Sequence, residues 1–234
     1  MPTPGVDPAR VARVVAALAV GERDSRTTLC AASANVVRVS GAGVVLMSQG
    51  RQLGSVCVSD AVTEAVEDAQ YLLGEGPCVD AWRTKRPVLE PDLTGVGASR
   101  WPGFREEATA AGVRAAFGFP LLVESVCIGA LNLYHDRVGD LTAEQVRDAE
   151  TVAYVTARSV LAWQMTAGSG NVAWQLEQVP AHRAVVHQAT GRVSIQVATS
   201  LDDALSLLRA YAFAEGLPIR DVATDVVAGD LRFD

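Results

Sequence analysis

A short run of small and polar residues, TAGSGN at 166–171, divides the chain into two parts with different patterns. Helical and strand patterns alternate before this run, and only helical periodicity follows it. Runs of this composition form flexible connections rather than packed elements. We therefore predict two domains, at 8–165 and 172–234, with a flexible joint at 166–171 between them.

The composition excludes several classes of protein. Hydrophobic residues make up 49% of the chain and charged residues 20%, which is enough apolar side chain for packed cores. The net charge of −7 excludes a protein that binds nucleic acid through bulk positive charge. No apolar stretch reaches the ~18 residues of a membrane span, and the amino terminus lacks the order of a signal peptide. We therefore expect a cytoplasmic protein without membrane contact, whose four cysteines stay reduced.

The front part carries the strand patterns. GAGVVLM (41–47) and RQLGSVCVS (51–59) predict a hairpin, and PVLEPDL (87–93) predicts a short strand that Pro91 confines to an edge or an end. The run 115–135 predicts two long strands joined by a turn. Strands in succession with helices between them predict an α+β fold, in which helices pack on an antiparallel sheet. Apolar residues at helical spacing predict helices at 11–20, 27–39, 61–76, 100–112 and 141–165.

The part behind the joint is predicted to be entirely helical. NVAWQLEQV (171–179) predicts a helix that Pro180 stops. Apolar periodicity predicts a small bundle of about three helices behind it, at 182–198, 201–216 and 219–227.

Three signals mark helix ends. Thr142 with Gln145 three residues later fits a capping box, and Ser200 with Asp203 resembles another. Gly112 stands where glycine commonly terminates a helix. These signals fix where we expect the long helix of the front part and the middle helix of the tail to begin.

The tail resembles the ANTAR domain, a three-helix RNA-binding module of bacterial transcription antitermination. The resemblance covers all three helices in order. It departs from the family at Thr190, where lysine is common, and this departure removes a cation that would contact phosphate. The matching residues are Arg183, Val185-Val186, Gln188-Ala189, Gly191, Ala204, Leu208-Arg209, Ala212 and Asp221-Val222-Ala223.

This resemblance implies that the tail binds stem-loop RNA, expected to be the leader of a nascent mRNA, and no DNA. Residues 171–234 hold five Arg, no Lys and eight Asp and Glu, a net charge of 5 − 8 = −3. Binding must therefore rely on a few placed contacts. A stacking aromatic, Tyr211 or Phe213, is expected to add ~1–3 kcal/mol per base. The expected RNA-binding residues are Arg183, His187, Gln188, Gly191, Arg192, Arg209 and Tyr211.

The front part resembles the GAF domain, a sensory fold with a central antiparallel sheet and helices on its faces. GEGPCVDAW (74–82), the strand PVLEPDL and FPLLVESVCIGALNLYH (119–135) carry this resemblance. A GAF domain followed by an ANTAR domain is a known bacterial arrangement, so each resemblance strengthens the other. Together they imply a regulator that senses a ligand or the redox state and binds RNA. By analogy with the family, we expect a homodimer that pairs through the helix at 141–165.

GAF domains often hold a small molecule between sheet and helices, and the sequence does not identify that cofactor. Cys78 stands at the expected start of a short helix, where the helix dipole lowers a thiol pKa and would give it a redox role. We expect no metal and no haem, because His135 is the single histidine before residue 170 and should be solvated at a strand end. The pocket candidates, on elements expected to cover one sheet face, are Cys78, Asp80, Trp82, Trp101, Phe104 and Phe117.

Two other kinds of function compete with this one. An enzyme needs a nucleophile near a base, a metal cluster or a phosphate-binding glycine loop. The sequence has no GxxxxGK[ST], HExxH or GxSxG motif, so we expect no enzymatic activity. The alternative is a non-enzymatic dimerisation or protein-interaction module with a degenerate tail, which Thr190 and the acidic charge of the tail favour.

Overall fold

The computed structural model describes residues 7–18, 25–48, 51–95, 100–166 and 181–233, without the side chains of 25–28, 51, 164–166 and 181–183. The chain forms two compact units, Met1–Leu176 and Glu177–Asp234, which are described separately. The predicted joint at 166–171 and the helix expected at 171–179 lie almost wholly outside the described residues. The domain boundaries drawn from the sequence therefore stay predictions.

The first unit contains six helices and five strands within its described residues. The helices are α1 (Pro8–Leu18), α2 (Ser25–Val37), α3 (Ala61–Leu73), α4 (Pro77–Thr84), α5 (Pro102–Ala110) and α6 (Ala143–Thr166). The strands are β1 (Gly41–Ser48), β2 (Arg51–Val58), β3 (Val88–Glu90), β4 (Ala115–Val123) and β5 (Val126–His135).

The strands form one antiparallel sheet in the order β2-β1-β5-β4-β3. Two hairpins, β1–β2 and β4–β5, are joined by pairing between β1 and β5. The short strand β3 lies at one edge, as the proline after it requires. The predicted α+β fold is therefore confirmed.

Each face of the sheet packs against its own group of helices. One face carries Phe117, Leu131 and Leu133 and contacts α1, α2 and α6. The opposite face carries Ala116 and Tyr134 and packs with side chains from α3 and α5. Neighbouring residues of a strand point to opposite faces, so the two groups of helices are separated by a single layer of backbone.

Glycines let backbone approach the sheet closely. A Cβ on Gly118 of β4 would lie 2.5 Å from the carbonyl oxygen of Pro77, at the start of α4. A Cβ on Gly129 of β5 would lie 2.0 Å from the carbonyl oxygen of Val45 on the neighbouring strand. Neither oxygen can move independently of its backbone, so these positions require glycine.

Helix α6 is anchored at its start and along its first turns. Thr142 and Gln145 form the predicted capping box, with the Gln145 N–H donating to Thr142 Oγ1 at 3.2 Å and the Thr142 N–H donating to Gln145 Oε1 at 3.0 Å. Gln145 Nε2 also donates to the carbonyl of Val37, the last residue of α2, at 3.0 Å. The buried carboxylate of Asp148 binds Arg10 and Arg13, which fastens α1 to α6.

The cysteines differ from the sequence expectation, which had all four reduced. Cys30 of α2 and Cys57 of β2 form a disulfide, with their Cα atoms 5.8 Å apart. Cys78 and Cys127 are free and buried. Spacing could not show the pairing, because 27 residues separate two cysteines that only the packing of α2 on the sheet brings together.

The second unit contains three helices within its described residues, α7 (Ala181–Gln196), α8 (Leu201–Glu215) and α9 (Ile219–Ala228). Ser200 caps α8 as predicted, since its Oγ accepts from the Asp203 N–H at 3.1 Å. The final residues fold back on the bundle, where the Phe233 N–H donates to Gln196 Oε1 at 3.1 Å. Nowhere in the described parts of either unit is a helix long and apolar enough to span a membrane. The core is formed by Val186, Ala189, Val193, Ala204, Leu205, Leu208, Ala212, Ile219, Val222, Ala223 and Val226.

His135 is buried, so the expectation of a solvated histidine is wrong. The residue is 5% exposed, its ring contacts the Phe117 ring edge-on at 6.3 Å, and its Nδ1 lies 3.3 Å from Ser40 Oγ. Burial lowers the pKa of His135, and Arg137 lowers it further, while Asp136 acts in the opposite direction. The histidine ends the strand, but the β4–β5 pairing places its ring within the sheet core.

This lowered pKa predicts acid sensitivity. Below about pH 6.5 the unfolded chain takes up a proton on His135 that the folded chain resists, so the free energy of unfolding falls as pH falls toward the folded pKa. We expect His135→Asn to reduce the slope of stability against pH in this window. Urea unfolding of both proteins from about pH 7 to about pH 5 measures this slope. Equal slopes would contradict the assignment.

The close contact at Gly129 predicts a severe effect of a single methyl group. Gly129→Ala should lower the free energy of unfolding by about 2 kcal/mol or more, because β5 and β1 must separate to admit the Cβ. Gly54→Ala in β2 is the matched control, since no atom lies within 4 Å of its Cβ position, and it should change stability by less than about 0.5 kcal/mol. Chemical denaturation of both variants compares them directly, and equal losses would refute the close approach.

Candidate functional site

A network of buried polar side chains lies between α3 and the sheet in the first unit. Asn132 Nδ2 on β5 donates to both carboxylate oxygens of Glu67 on α3, at 2.7 and 2.9 Å. The Tyr134 hydroxyl donates to Glu67 Oε1 at 3.0 Å and accepts from Gln70 Nε2 at 2.8 Å. Gln70 Oε1 in turn accepts from the backbone N–H of Cys78 at 2.9 Å. The network therefore connects α3, β5 and the first turn of α4.

The carboxylate of Glu67 is fully buried in this network. A charge taken out of water must be compensated by hydrogen bonds, and three of them come from Asn132 and Tyr134. A Cβ on Gly43 of β1 would lie 2.3 Å from Glu67 Oε1, so that glycine leaves space for the carboxylate. Burial and the Glu67 charge raise the pKa of Tyr134 well above its usual value, which keeps its hydroxyl proton available for donation.

Cys78 does not have the lowered thiol pKa that its helix position suggested. Burial raises the pKa of Cys78 well above its usual value, and the charge of Glu67 raises it further. Two effects disfavour the thiolate: its desolvation and the nearby carboxylate. Together they outweigh the positive end of the short helix α4. The redox role considered for this thiol therefore loses its physical basis.

Asp80 organises a second cluster at the surface above α4. Its carboxylate accepts from Arg83 Nη2 at 2.6 Å, from Arg100 Nη2 at 2.9 Å and from Trp101 Nε1 at 3.2 Å. The Arg100 guanidinium also lies over the Trp101 ring, 4.2 Å from its centroid. The Phe104 N–H donates to the carboxylate of Glu75 at 2.9 Å, which satisfies the start of α5. Arg100 and Trp101, the two residues before α5, are thus held against α4.

The structure brings five of the six pocket candidates to one side of the sheet. Cys78 and Trp82 pack together against β1 and β5, while Trp101 and Phe104 pack beside α3. Asp80 joins this side through Trp101. Phe117 does not belong to this group, because it points to the opposite face among α1, α2 and α6.

The polar centre of the site was missed from the sequence, although a signal for it exists. Thr63, Glu67 and Gln70 follow i, i+4, i+7 spacing on the buried face of α3, where apolar residues would be expected. Asn132 and Tyr134 alternate on one face of β5. Polar residues at core positions of a helix and of the strand beneath it indicate a buried network. Among the described residues, no three histidine, cysteine, aspartate or glutamate side chains are arranged to hold a metal ion.

The network predicts that one hydroxyl is structurally important. Tyr134→Phe leaves Gln70 Nε2 without the Tyr134 acceptor and removes one of the three hydrogen bonds to Glu67, and should lower the free energy of unfolding by about 2 kcal/mol. Tyr154→Phe is the control, because Tyr154 is half-buried on α6 with its ring beneath Arg158. It should lose less than about 0.5 kcal/mol in the same denaturation experiment. Similar losses of stability in both variants would contradict a stabilising role for the hydrogen bonds of the buried Tyr134 hydroxyl.

In the second unit, the predicted RNA-binding residues of α7 differ in how exposed they are. His187 and Gln188 are exposed, Gly191 is half-exposed, and the side chain of Arg183 lies outside the described residues. Arg192 is exposed, and its Nη1 donates to the carbonyl of Val226 at the end of α9, at 3.3 Å. This contact steadies the guanidinium and complements the negative end of the α9 dipole.

Thr190, the departure from the family pattern, lies inside the bundle. It is 5% exposed, and its hydroxyl donates to the carbonyl of Val186 at 2.7 Å. A side chain at this position points into the helix packing rather than into solvent. A cation at this position would therefore have limited reach to phosphate. In this chain, contact with phosphate depends on Arg192 and Arg209.

The two aromatic candidates of α8 have different surroundings. Tyr211 is half-buried, and its ring contacts the Phe233 ring at 5.5 Å between centroids. Phe213 is 77% exposed. Tyr211, which the sequence analysis places among the RNA-binding residues, packs against another ring of the bundle. The ring of Phe213 faces solvent. Helical spacing alone does not show which of the two rings is exposed.

Sequence-family comparison identifies a sensory domain in the first unit and a regulatory domain in the second. The GAF domain pattern matches residues 13–160, and the ANTAR domain pattern matches residues 174–227. The chain therefore belongs to the GAF domain family and carries an ANTAR domain behind the sensory domain. This is the architecture of a signal-sensing antitermination regulator, in which the ANTAR domain is an RNA-binding module. A comparison with curated proteins found no match.

Solved structures support the fold of the first unit. The GAF domain of a phosphoenolpyruvate-protein phosphotransferase from Acinetobacter shares 12% identity at a TM-score of 0.51, covering 68% of this chain and 95% of its own. The corresponding domain from Coxiella burnetii shares 11% identity at a TM-score of 0.50, with the same coverage of both chains. At such identities the likeness shows the fold alone.

Proposed function

We propose that this chain is a signal-responsive regulator that binds stem-loop RNA through its second unit, under control of its first. The observation that carries the RNA assignment is the exposed ring of Phe213 on α8, with the half-buried Arg209 four residues before it. The first unit senses a ligand or the redox state and has no catalytic step of its own. The intended target is a structured leader of a nascent transcript, bound by a homodimer in the bacterial cytoplasm.

Arg209 and Phe213 lie four residues apart on α8, so their side chains are neighbours along the helix surface. The packing face of the same helix is already filled by Ala204, Leu208 and Ala212. An aromatic ring left 77% exposed contributes little to the fold. A guanidinium beside an exposed ring suits an unpaired base, which stacks on the ring while the cation contacts its phosphate.

The acidic balance of this unit limits how much phosphate contact can contribute. Residues 171–234 contain five arginines and no lysine. If all five released a counterion from a duplex stem, the slope of log affinity against log salt would be no steeper than about −4.5. Binding through this unit should therefore show a shallow salt dependence and rely on stacking in an RNA loop.

The interior of the first unit supports a sensory role. Asn132 Oδ1 is buried and has no hydrogen-bond partner in the structure. The amide nitrogen of Asn132 donates to Glu67, and its Oδ1 remains as an acceptor for a small ligand that carries a hydrogen-bond donor. Reorganising the network would move α3 and α4 relative to the sheet. Cys78, whose raised pKa keeps it a thiol, supplies no nucleophile here.

The RNA assignment predicts a specific loss on removal of one ring. Phe213→Ala should weaken binding to hairpin RNA about tenfold, the equivalent of roughly 1.4 kcal/mol of stacking, without changing thermal stability. Phe213→Trp should retain binding, since a larger ring still stacks. A filter-binding titration of the full chain, using hairpins of constant stem and randomised loop, measures all three proteins.

Tyr211→Phe is the matched control, because its ring contact with Phe233 survives the change. It should bind as the unchanged chain does. Retained binding by Phe213→Ala would contradict the stacking contact. No complex between the unchanged chain and any hairpin at low salt would refute RNA binding, and the protein-interaction alternative would replace it.

A further inference from the structure

The four cysteines of the chain fall into two chemical groups. Cys78 and Cys127 are buried free thiols, and burial raises the pKa of each. Neither is a partner for the other in a disulfide of this chain. Cys30 and Cys57 are already joined. Reversible two-electron chemistry within this chain therefore belongs to the Cys30–Cys57 pair.

The pair lies where it connects the edge of the sheet to a helix. Cys57 is on β2, which pairs with a neighbouring strand on one side only and stands at the end of the strand order. Cys57 is 7% exposed and Cys30 is fully buried. The edge position gives a reagent a route to the Cys57 sulfur when the edge strand opens locally, while Cys30 is the protected partner.

The pair is also mechanically connected to α6. Helix α2 carries Cys30 near its middle and ends at Val37, whose carbonyl accepts the Gln145 Nε2 hydrogen bond from α6. Arg38, just after α2, pairs with Glu144 of α6 at 3.4 Å. Leu29, Ala34 and residues of α6 share one hydrophobic core. Helix α6 is the last described helix before the chain passes into the second unit.

We propose that Cys30–Cys57 is the redox site of the first unit, exchanging with low-molecular-weight thiols and disulfides and altering RNA binding through α2 and α6. This inference rests on the proposed function. Disulfides of cytosolic proteins are typically transient and redox-sensing, which fits a pair attached to a regulatory helix. The stimulus is then the thiol–disulfide balance of the cell, and the sensing residues differ from Cys78.

The exchange balances with a thiol as the only co-reactant. A thiolate attacks the Cys57 sulfur, a mixed disulfide forms, and Cys30 leaves as a thiolate that takes up a proton. A second thiolate then attacks the small-molecule sulfur, and Cys57 leaves and is protonated. Two small thiols are oxidised to one disulfide, and the protein disulfide is reduced to two thiols. A small-molecule disulfide reverses both steps.

The experiment begins by counting thiols in the full chain. Oxidised protein, denatured and alkylated without reductant, should take up label on Cys78 and Cys127 alone, and all four cysteines should react after dithiothreitol. The same two preparations are then titrated with hairpin RNA. Their affinities should differ by at least about fivefold, the lower end of measured coupling between sites. Label on all four cysteines before reduction would overturn the proposal.

Variants separate the pair from general effects of reductant. Cys30→Ser and Cys57→Ser should each bind RNA equally with and without dithiothreitol. Cys127→Ser is the control, because serine can donate to the Gly129 carbonyl as the thiol does, and it should keep the redox response. Where Cys30→Ser fails to fold, Cys57→Ser and the unchanged chain still decide the result.

Hydrogen exchange distinguishes failure of this inference from failure of the proposed function. Peptides covering α2 and α6 should exchange faster in the reduced chain. RNA binding that is equal in both redox states would overturn the redox proposal and leave the RNA assignment standing. Absence of RNA binding in both states would refute the proposed function. In that case the redox proposal is tested by hydrogen exchange in α6 alone. Equal exchange rates in the oxidised and reduced chain would overturn it.

Discussion

The buried carboxylate of Glu67 constrains the first unit more than any other group. It must receive hydrogen bonds wherever it lies, and Asn132 and Tyr134 provide them from the strand beneath. The strand must in turn present two polar residues on one face, and β1 must carry Gly43 opposite the carboxylate. The position of α3 on the sheet follows from these requirements. Apolar packing alone would tolerate a shift of that helix, whereas a hydrogen-bonded charge does not.

The sheet separates this polar interior from a second, apolar one. On the far side, α1, α2 and α6 pack on Phe117, Leu131 and Leu133, with the disulfide at the sheet edge. We propose that a ligand signal enters at the polar interior and a redox signal at the disulfide, and that each alters the packing of α6.

Local sequence patterns predicted most of the fold, because turns, caps and strand ends are determined by residues close in sequence. The hairpins, the edge position of β3, and the caps at Thr142 and Ser200 depend on residues close in sequence. The site was harder to predict. The Cys30–Cys57 pair, the burial of His135 and the face of Phe117 depend on strand register and helix packing, which no short window contains. The lowered pKa expected for Cys78 was wrong because desolvation and Glu67 outweigh one short helix.

Ultraviolet crosslinking of the full chain to hairpin RNA, with the modified peptides identified by mass spectrometry, tests the central claim most directly. The account predicts crosslinks within 181–233, concentrated on the α8 peptide that contains Arg209 and Phe213. Aromatic rings stacked on bases are efficient crosslinking partners, so the exposed ring should carry the strongest signal. Crosslinks confined to residues 7–166, or none at RNA concentrations that saturate binding, would contradict the assignment of the second unit as the RNA-binding domain.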